Sequence, residues 1–133
     1  MLSYPQNNPG DLSDARAPRL TYIVIRAHEI DRTALFYRTL GLSLQDEQHG
    51  SGPIHYSFEI AAGVVCEIYP SSDKAQRSNG VRLGFSVTDL KATYETLTKA
   101  GFTMHRELAT TTPNSSFVAL DPDGNQVEIT GVG

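Results

Sequence analysis

Four side chains in this sequence have types and positions that could build one chemical site. Glu67 and Glu128 each interrupt an apolar strand pattern, in the stretches CEI and VEI. Tyr22 lies in the apolar segment RLTYIVIR before Glu67, and Arg82 lies in the segment VRLGFSV before Glu128. Carboxylates beside a phenol and a guanidinium can bind a metal ion, take up a proton or form ion pairs. The elements that carry these residues decide which of the three chemistries is open to them.

The chain contains an internal repeat that relates these four residues. A shift of 60 positions places Gly41 on Gly101, and the segments on either side follow in the same order. The pattern predicts a duplicated βαβββ unit. A pseudo-twofold axis between the halves would bring the four residues to one place, with Tyr22 equivalent to Arg82 and Glu67 equivalent to Glu128.

Each half of the repeat contains one amphipathic helix. The first is predicted across 31–40, with Asp31 as its N-cap, and the second across 90–100, with Asp89 as its N-cap. The apolar stripe predicted for the first helix consists of Leu35, Phe36 and Leu40.

The remaining segments alternate between apolar and polar residues, as strands do. Strands are predicted at 19–26, 42–48, 55–60, 64–69, 81–87, 102–108, 115–120 and 125–130. Residues 1–18 are predicted to form an irregular arm before a single domain at 19–131. That domain divides into module one at 19–70, a polar linker at 71–80 and module two at 81–131.

The two faces of the predicted strands differ in composition. One face is apolar and is expected to lie under the helices, whereas the other is mixed and polar, as the lining of a cavity would be. Four aromatic residues are candidate walls for a ring-containing ligand, with core packing as the alternative for the two phenylalanines: Tyr56, Phe58, Tyr69 and Phe117.

Three stretches resemble the vicinal oxygen chelate superfamily, which includes glyoxalase I, bleomycin-resistance proteins and extradiol dioxygenases. They are IDRTALFYRTLGL, GVRLGFSVTDLKATYETLTKAGF and FVALDPDGNQVEIT. The resemblance covers about residues 19–131 and implies an α+β fold. In that fold, two tandem βαβββ modules form a curved mixed sheet around a central cavity.

The resemblance also implies which positions would hold a metal. In metal-using members they correspond to Tyr22, Glu67, Arg82 and Glu128, and the two first-strand positions usually hold His or Gln. This chain has Tyr and Arg there, and a guanidinium offers only donors and a permanent positive charge. We therefore expect no metal cofactor at these positions, with a divalent metal as the alternative.

The resemblance implies a homodimer that binds a small organic molecule without a metal, by sequestration, with Arg82 available for a carboxylate, phosphate or enolate. One alternative is a glyoxalase-like lyase or isomerase that uses Glu67 or Glu128 as base or metal ligand. The missing histidines disfavour an extradiol dioxygenase. Another alternative is an accessory protein without catalysis.

Other features narrow the class of protein. The 133-residue chain has a net charge of −4 and no basic cluster, which argues against nucleic acid and anionic membranes as partners. No apolar run is long enough to span a bilayer, and the single cysteine excludes an internal disulfide, so a cytoplasmic location is expected. Cys66 is predicted to be an inert, buried thiol. His49 and His55 could approach each other across a hairpin as a separate metal site.

Overall fold

A computed structural model describes residues 16–109 and 115–132. Within them, the chain forms eight strands, two α-helices and one short 3-10 helix at Lys74–Gln76. The strands are β1 (Tyr22–Ala27), β2 (Gln45–Glu47), β3 (His55–Ala61), β4 (Val64–Pro70), β5 (Arg82–Val87), β6 (Met104–Arg106), β7 (Ser116–Leu120) and β8 (Gln126–Gly131). The helices are α1 (Ile30–Leu40) and α2 (Leu90–Lys99). The order βαβββ occurs twice, as the repeat predicts. Most of the predicted arm lies outside the described residues.

The strands of the described residues form two four-stranded mixed sheets with the same internal order. Sheet one runs β1-β4-β3-β2 and sheet two runs β5-β8-β7-β6. The first pair in each sheet, β1 with β4 and β5 with β8, is parallel, and the others are antiparallel. The two modules are therefore copies of one topology, and each holds an α+β unit of its own.

The two helices begin differently. Asp89 caps α2, because its side chain accepts a 3.0 Å hydrogen bond from the amide of Ala92. The predicted cap of α1 is wrong: Glu29 occupies the N-cap position and makes no side-chain cap hydrogen bond. Because α1 begins at Ile30, Asp31 falls inside its first turn, where it accepts a 2.7 Å hydrogen bond from the hydroxyl of Tyr56.

The buried stripe of α1 also differs from the prediction. Leu35 is 50% exposed, so it does not belong to the stripe. Residues three or four positions apart share one face of a helix, and Phe36 and Leu40 are so related. Leu35 is one position from Phe36 and five from Leu40, so it points to a different side of the helix. The buried residues are Thr33, Ala34, Phe36, Tyr37 and Leu40.

One apolar core lies between the helices and the two sheets. Phe36 of α1 meets the ring of Phe102 from module two edge to face, with centroids 5.1 Å apart. The same cluster includes Ile68 from sheet one and Ile129 from sheet two. Burying each such side chain stabilises the fold by about 1.5–3 kcal/mol. Because this shared core uses the helix-facing side of both sheets, the polar side of each sheet faces away from it.

The DPDG turn joins module two to the start of α1. Asp123 Oδ1 accepts a 2.8 Å hydrogen bond from the amide of His28, and its Oδ2 accepts one of 2.7 Å from the hydroxyl of Thr33. Gly124 completes the turn with a positive φ of 97°, a conformation that glycine adopts without strain. The turn therefore helps to hold the two modules together.

No helix within the described residues is long and apolar enough to cross a membrane.

Candidate functional site

Corresponding strand pairs of the two sheets position the four predicted site residues. Tyr22 pairs with Val65, two residues before Glu67 on the same face of sheet one. Arg82 pairs with Gln126, two residues before Glu128 on sheet two. Tyr22 therefore has the same diagonal relation to Glu67 that Arg82 has to Glu128. The equivalences predicted from the repeat hold at the level of strand register.

On sheet two, Glu128 lies between two guanidinium groups. Its Oε2 is 3.5 Å from Nη2 of Arg82 and 3.3 Å from Nη2 of Arg106. Arg106 is held in place by two further hydrogen bonds, to the carbonyl and the hydroxyl oxygen of Ser116. Two cations around one carboxylate leave this polar face with a net positive charge.

Sequence reasoning missed Arg106, although the strand register contains the signal. Arg106 pairs with Val118 on the neighbouring strand, and Val118 pairs in turn with Glu128. Residues in register across a sheet share a face, so Arg106 and Glu128 lie on the same side with one strand between them. A guanidinium is long enough to cross that strand.

On sheet one, Glu67 lies in a central strand between Val24 and Ser57. Within the described residues, it makes no salt bridge with Arg82 or with any other cation. Of the four side chains, Arg82 and Glu128 form an ion pair in the described residues, and Glu67 does not join it. The reason is that the sheets are joined through the helix-facing core, which leaves their polar faces apart.

Tyr69 lies on the polar face of sheet one, as predicted. Its ring stacks on the imidazole of His55, with centroids 4.2 Å apart and planes 8° from parallel. The guanidinium of Arg26 lies 5.8 Å from the same ring. Burial raises the pKa of the Tyr69 phenol, and the nearby carboxylate of Glu67 raises it further.

Two other candidate wall residues lie on the opposite side of sheet one. Phe58 is buried and stacks on Tyr37 of α1, with ring centroids 5.6 Å apart. Tyr56 directs its hydroxyl to Asp31 of α1. Both therefore pack under the helix, not on the polar face. The alternation in β3 explains the correction, because Tyr56 and Phe58 pair with Ile68 and Cys66 of the apolar face.

Phe117 is corrected in the same way. It is fully buried and meets Tyr94 of α2 edge to face at 5.1 Å. Its strand partner is the core residue Ile129. The structure places both phenylalanines in the core, which is the alternative that the sequence left open for them.

Cys66 lies on the helix-facing side and is fully buried. Burial raises the pKa of its thiol to about 12, with a smaller contribution from Glu67 on the same strand. A thiol that stays protonated at neutral pH is a poor nucleophile. The prediction of a buried thiol is confirmed.

A groove of about 480 Å³ lies at the β2 edge of sheet one, where residues 41–43 after α1 and Phe58 also line it. That size falls within the range of small-molecule sites, about 300–1,000 Å³. Its lining includes polar-face residues of three strands: Gln45, Glu47, Ser57, Glu59 and Val65.

The fold defines a class of proteins built from two βαβββ modules. Each module of this chain has a glutamate at the same position on the polar face of its sheet, Glu67 in one and Glu128 in the other. The sequence model of the Glyoxalase/Bleomycin resistance protein/Dioxygenase superfamily matches residues 19–129. The chain belongs to this superfamily, which confirms the family and the fold expected from the sequence.

Solved structures with this fold come from several organisms. A superfamily member from Sphaerobacter thermophilus shares 20% identity and a TM-score of 0.65, over 88% of this chain and 99% of that chain. TioX from Micromonospora sp. ML1 shares 17% identity and a TM-score of 0.64, over 86% and 98%. A glyoxalase I variant from Zea mays shares 17% identity and a TM-score of 0.67, over 84% of this chain but 44% of that longer chain. No curated protein sequence matches the chain. At these identities the likeness concerns the fold alone.

Proposed function

We propose that the protein binds and sequesters a small organic molecule with an anionic group, and that it needs no metal at Tyr22, Glu67, Arg82 and Glu128. The observation that carries this proposal is the position of Glu128 between Arg82 and Arg106. The proposal has three parts: the absence of a metal at these positions, the charge of the ligand, and the assembly of the site from two copies of the chain.

The first part rests on the donor set. A divalent metal at Glu128 would have to displace two guanidinium groups within 3.5 Å of the carboxylate. Both groups stay charged at any relevant pH and would repel the ion. Neither arginine nor the phenol of Tyr22 replaces the neutral imidazole that transition metals prefer.

The second part rests on net charge. Arg82 and Arg106 together carry one more positive charge than Glu128 neutralises. Guanidinium forks pair with carboxylates and phosphates through two parallel hydrogen bonds. A ligand with one such group would bind at sheet two and balance the excess charge.

The third part rests on an exposed apolar edge. The edge strand β1 and the residues before it expose Leu20 (62%), Tyr22 (60%) and Val24 (39%). A second copy could cover this edge with β5, the edge strand of its own sheet two that carries Arg82. Such a homodimer would place Arg82 and Glu128 of one copy opposite Tyr22 and Glu67 of the other.

A thermal-shift screen with matched probes tests the ligand proposal. We expect aromatic carboxylates and aryl phosphates to raise the melting temperature, and the corresponding amides to have little effect. The double variant Arg82→Gln with Arg106→Gln should lose at least about tenfold in affinity, because charge-assisted hydrogen bonds contribute about 1.5–3 kcal/mol. Lys99→Gln, a charge change on α2, is the control. Equal binding of acids and amides would overturn the proposal.

Metal dependence and assembly need separate measurements. Ligand binding should survive dialysis against a chelator, and a requirement for added Ni²⁺ or Zn²⁺ would refute the first part. Sedimentation should show a dimer. Mixing Glu67→Gln protein with Arg82→Gln protein should yield dimers with one unaltered site and one doubly altered site. A monomer that binds ligand normally would refute the third part.

A lyase or isomerase is the second candidate function, favoured by the surroundings of the Glu67 carboxylate. Glu128 has two cationic partners, whereas Glu67 has none in the described part of the chain. Glu67 is therefore the better general base, and an arginine from the second copy could stabilise an enolate. Exchange of the α-proton of hydroxyketone probes in D₂O, lost in Glu67→Gln, would favour this enzyme over sequestration. We expect the protein to act in the cytoplasm, because a domain that needs no disulfide is stable in a reducing compartment.

A further inference from the structure

A second cluster of chemically active side chains lies at the loop end of the β2–β3 hairpin, outside the four family positions. Glu47 of β2 and His55 of β3 are paired residues, and His49 lies in the connection between the strands. Each offers one potential ligand atom, and the three atoms lie within 4.8 Å of one another. Within residues 16–109 and 115–132, it is the one group of three or more His, Cys, Asp or Glu side chains so arranged.

The buried nitrogen of His55 is the independent observation that points to a ligand. The residue is 1% exposed, and its Nε2 makes no hydrogen bond. It lies 3.4 Å from Oε2 of Glu47, but not in hydrogen-bond geometry. An unsatisfied buried polar atom costs about 1–3 kcal/mol. A group that accepts the Nε2 lone pair and neutralises the carboxylate would remove that cost.

We infer that Glu47, His49 and His55 form a binding site for a divalent transition-metal ion. Bonds of about 2.0 Å at tetrahedral angles place ligand atoms about 3.3 Å apart. The distances from Glu47 Oε2 are 3.4 Å to His55 Nε2 and 3.7 Å to His49 Nε2. The site therefore needs only small side-chain movements to close on an ion.

The surrounding contacts hold two of the ligands in place. Nδ1 of His55 lies 3.4 Å from the carbonyl oxygen of Pro53, so the tautomer that donates there leaves Nε2 as the acceptor. The other carboxylate oxygen of Glu47 accepts a 2.6 Å hydrogen bond from the hydroxyl of Ser57. The Tyr69 ring fixes the imidazole plane of His55 by stacking on it. Partners of this kind orient ligands in metal sites.

The donor set selects the class of ion. Two imidazoles and one carboxylate suit Zn²⁺, Co²⁺ or Ni²⁺, whereas Mg²⁺ and Ca²⁺ prefer oxygen ligands alone. The His49 side chain is 74% exposed, so the fourth coordination position opens to solvent. The ion would thus lie on the same side of sheet one as Glu67 without using any of the four family positions.

Co²⁺ titration of untagged protein tests this inference. We expect one Co²⁺ per chain with the intense visible absorption of a low-coordinate site, and displacement by Zn²⁺. His49→Ala and Glu47→Gln should each weaken Co²⁺ binding more than tenfold. His49 is exposed, so its removal should leave the fold intact, and an unchanged melting temperature of the apoprotein would verify this.

Two other histidines provide matched controls. His28→Ala and His105→Ala each remove an exposed imidazole outside the cluster and should bind Co²⁺ like the wild type. Absence of the absorption band, binding unaffected by both cluster variants, or loss of binding in a control variant would overturn the inference. Because ligand binding by Arg82 and Arg106 is measured separately in chelator, each proposal can fail without the other.

Discussion

The hydroxyl of Tyr37 donates a 2.8 Å hydrogen bond to Oδ2 of Asp121, a residue 84 positions later in the chain. Both side chains are buried. The bond connects helix α1 of module one to the turn before the last strand of module two. Asp121 also accepts hydrogen bonds from the amide and side chain of Asn125. The modules are thus joined by a buried polar network as well as by the apolar core.

Replacing Tyr37 by Phe should lower the free energy of unfolding by about 1–3 kcal/mol, because the Asp121 carboxylate loses a buried donor while the ring stays in place. Urea unfolding measures the change. Tyr94→Phe is the matched control, since the Tyr94 hydroxyl makes no side-chain hydrogen bond in the described structure and its ring packs on Phe117. Equal effects of the two variants would contradict the prediction.

The Tyr37 phenol should also make the free energy of unfolding depend on pH in the alkaline range. Burial, followed by the charge of Asp121, raises the pKa of Tyr37 well above its ordinary value of 10.0. Above pH 10 the unfolded chain loses this proton and the folded protein keeps it, so stability falls as pH rises. The Tyr37 contribution to this slope approaches about 1.4 kcal/mol per pH unit. Tyr37→Phe should reduce the decline between pH 9 and 11, and an unchanged slope would refute the assignment.

Asp123 should be more sensitive than an exposed aspartate. Asp123→Ala removes both acceptor oxygens, so the buried contacts with the His28 amide and the Thr33 hydroxyl are both lost. We expect a loss of about 2–4 kcal/mol in the free energy of unfolding. Asp46→Ala, on the exposed strand β2, should change it by less than about 0.5 kcal/mol. Similar values for the two variants would contradict the proposed tie between the modules.

The arginine pair should matter for binding much more than for folding. Arg106→Gln should change the free energy of unfolding by less than about 1 kcal/mol, because both partners of the ion pair are partly exposed to water. Its affinity for an aromatic carboxylate should fall, and the dependence of that affinity on salt concentration should become weaker. Strong destabilisation with unchanged affinity would assign Arg106 a structural role instead.

Cys66 should resist thiol reagents in the folded protein. Its raised pKa and complete burial leave neither a thiolate nor a path for the reagent. An aromatic disulfide reagent should label it within seconds in denaturant and only at the rate of unfolding in native buffer. Rapid labelling of native protein would show that the helix-facing side of sheet one opens to solvent.

The sequence by itself determined the local and repeated features. Alternation in β4 and β8 and the 60-residue shift gave the equivalence of Glu67 and Glu128, because side-chain period and chain order are local properties. The Asp89 cap follows from residue type and position for the same reason. The alternation in β3 also predicts that Phe58 faces the core, because the polar residues His55, Ser57 and Glu59 occupy the other face of that strand.

Only the tertiary structure decided which groups meet. Arg106 reaches Glu128 because two strand registers align them. Among the described residues, Glu67 has no cationic partner, because the sheets join through their apolar sides. His55 acquires an unsatisfied nitrogen only when the hairpin, Tyr69 and Pro53 close around it. Contacts between residues far apart in sequence depend on how sheets and helices pack, and residue patterns within one element carry little of that information.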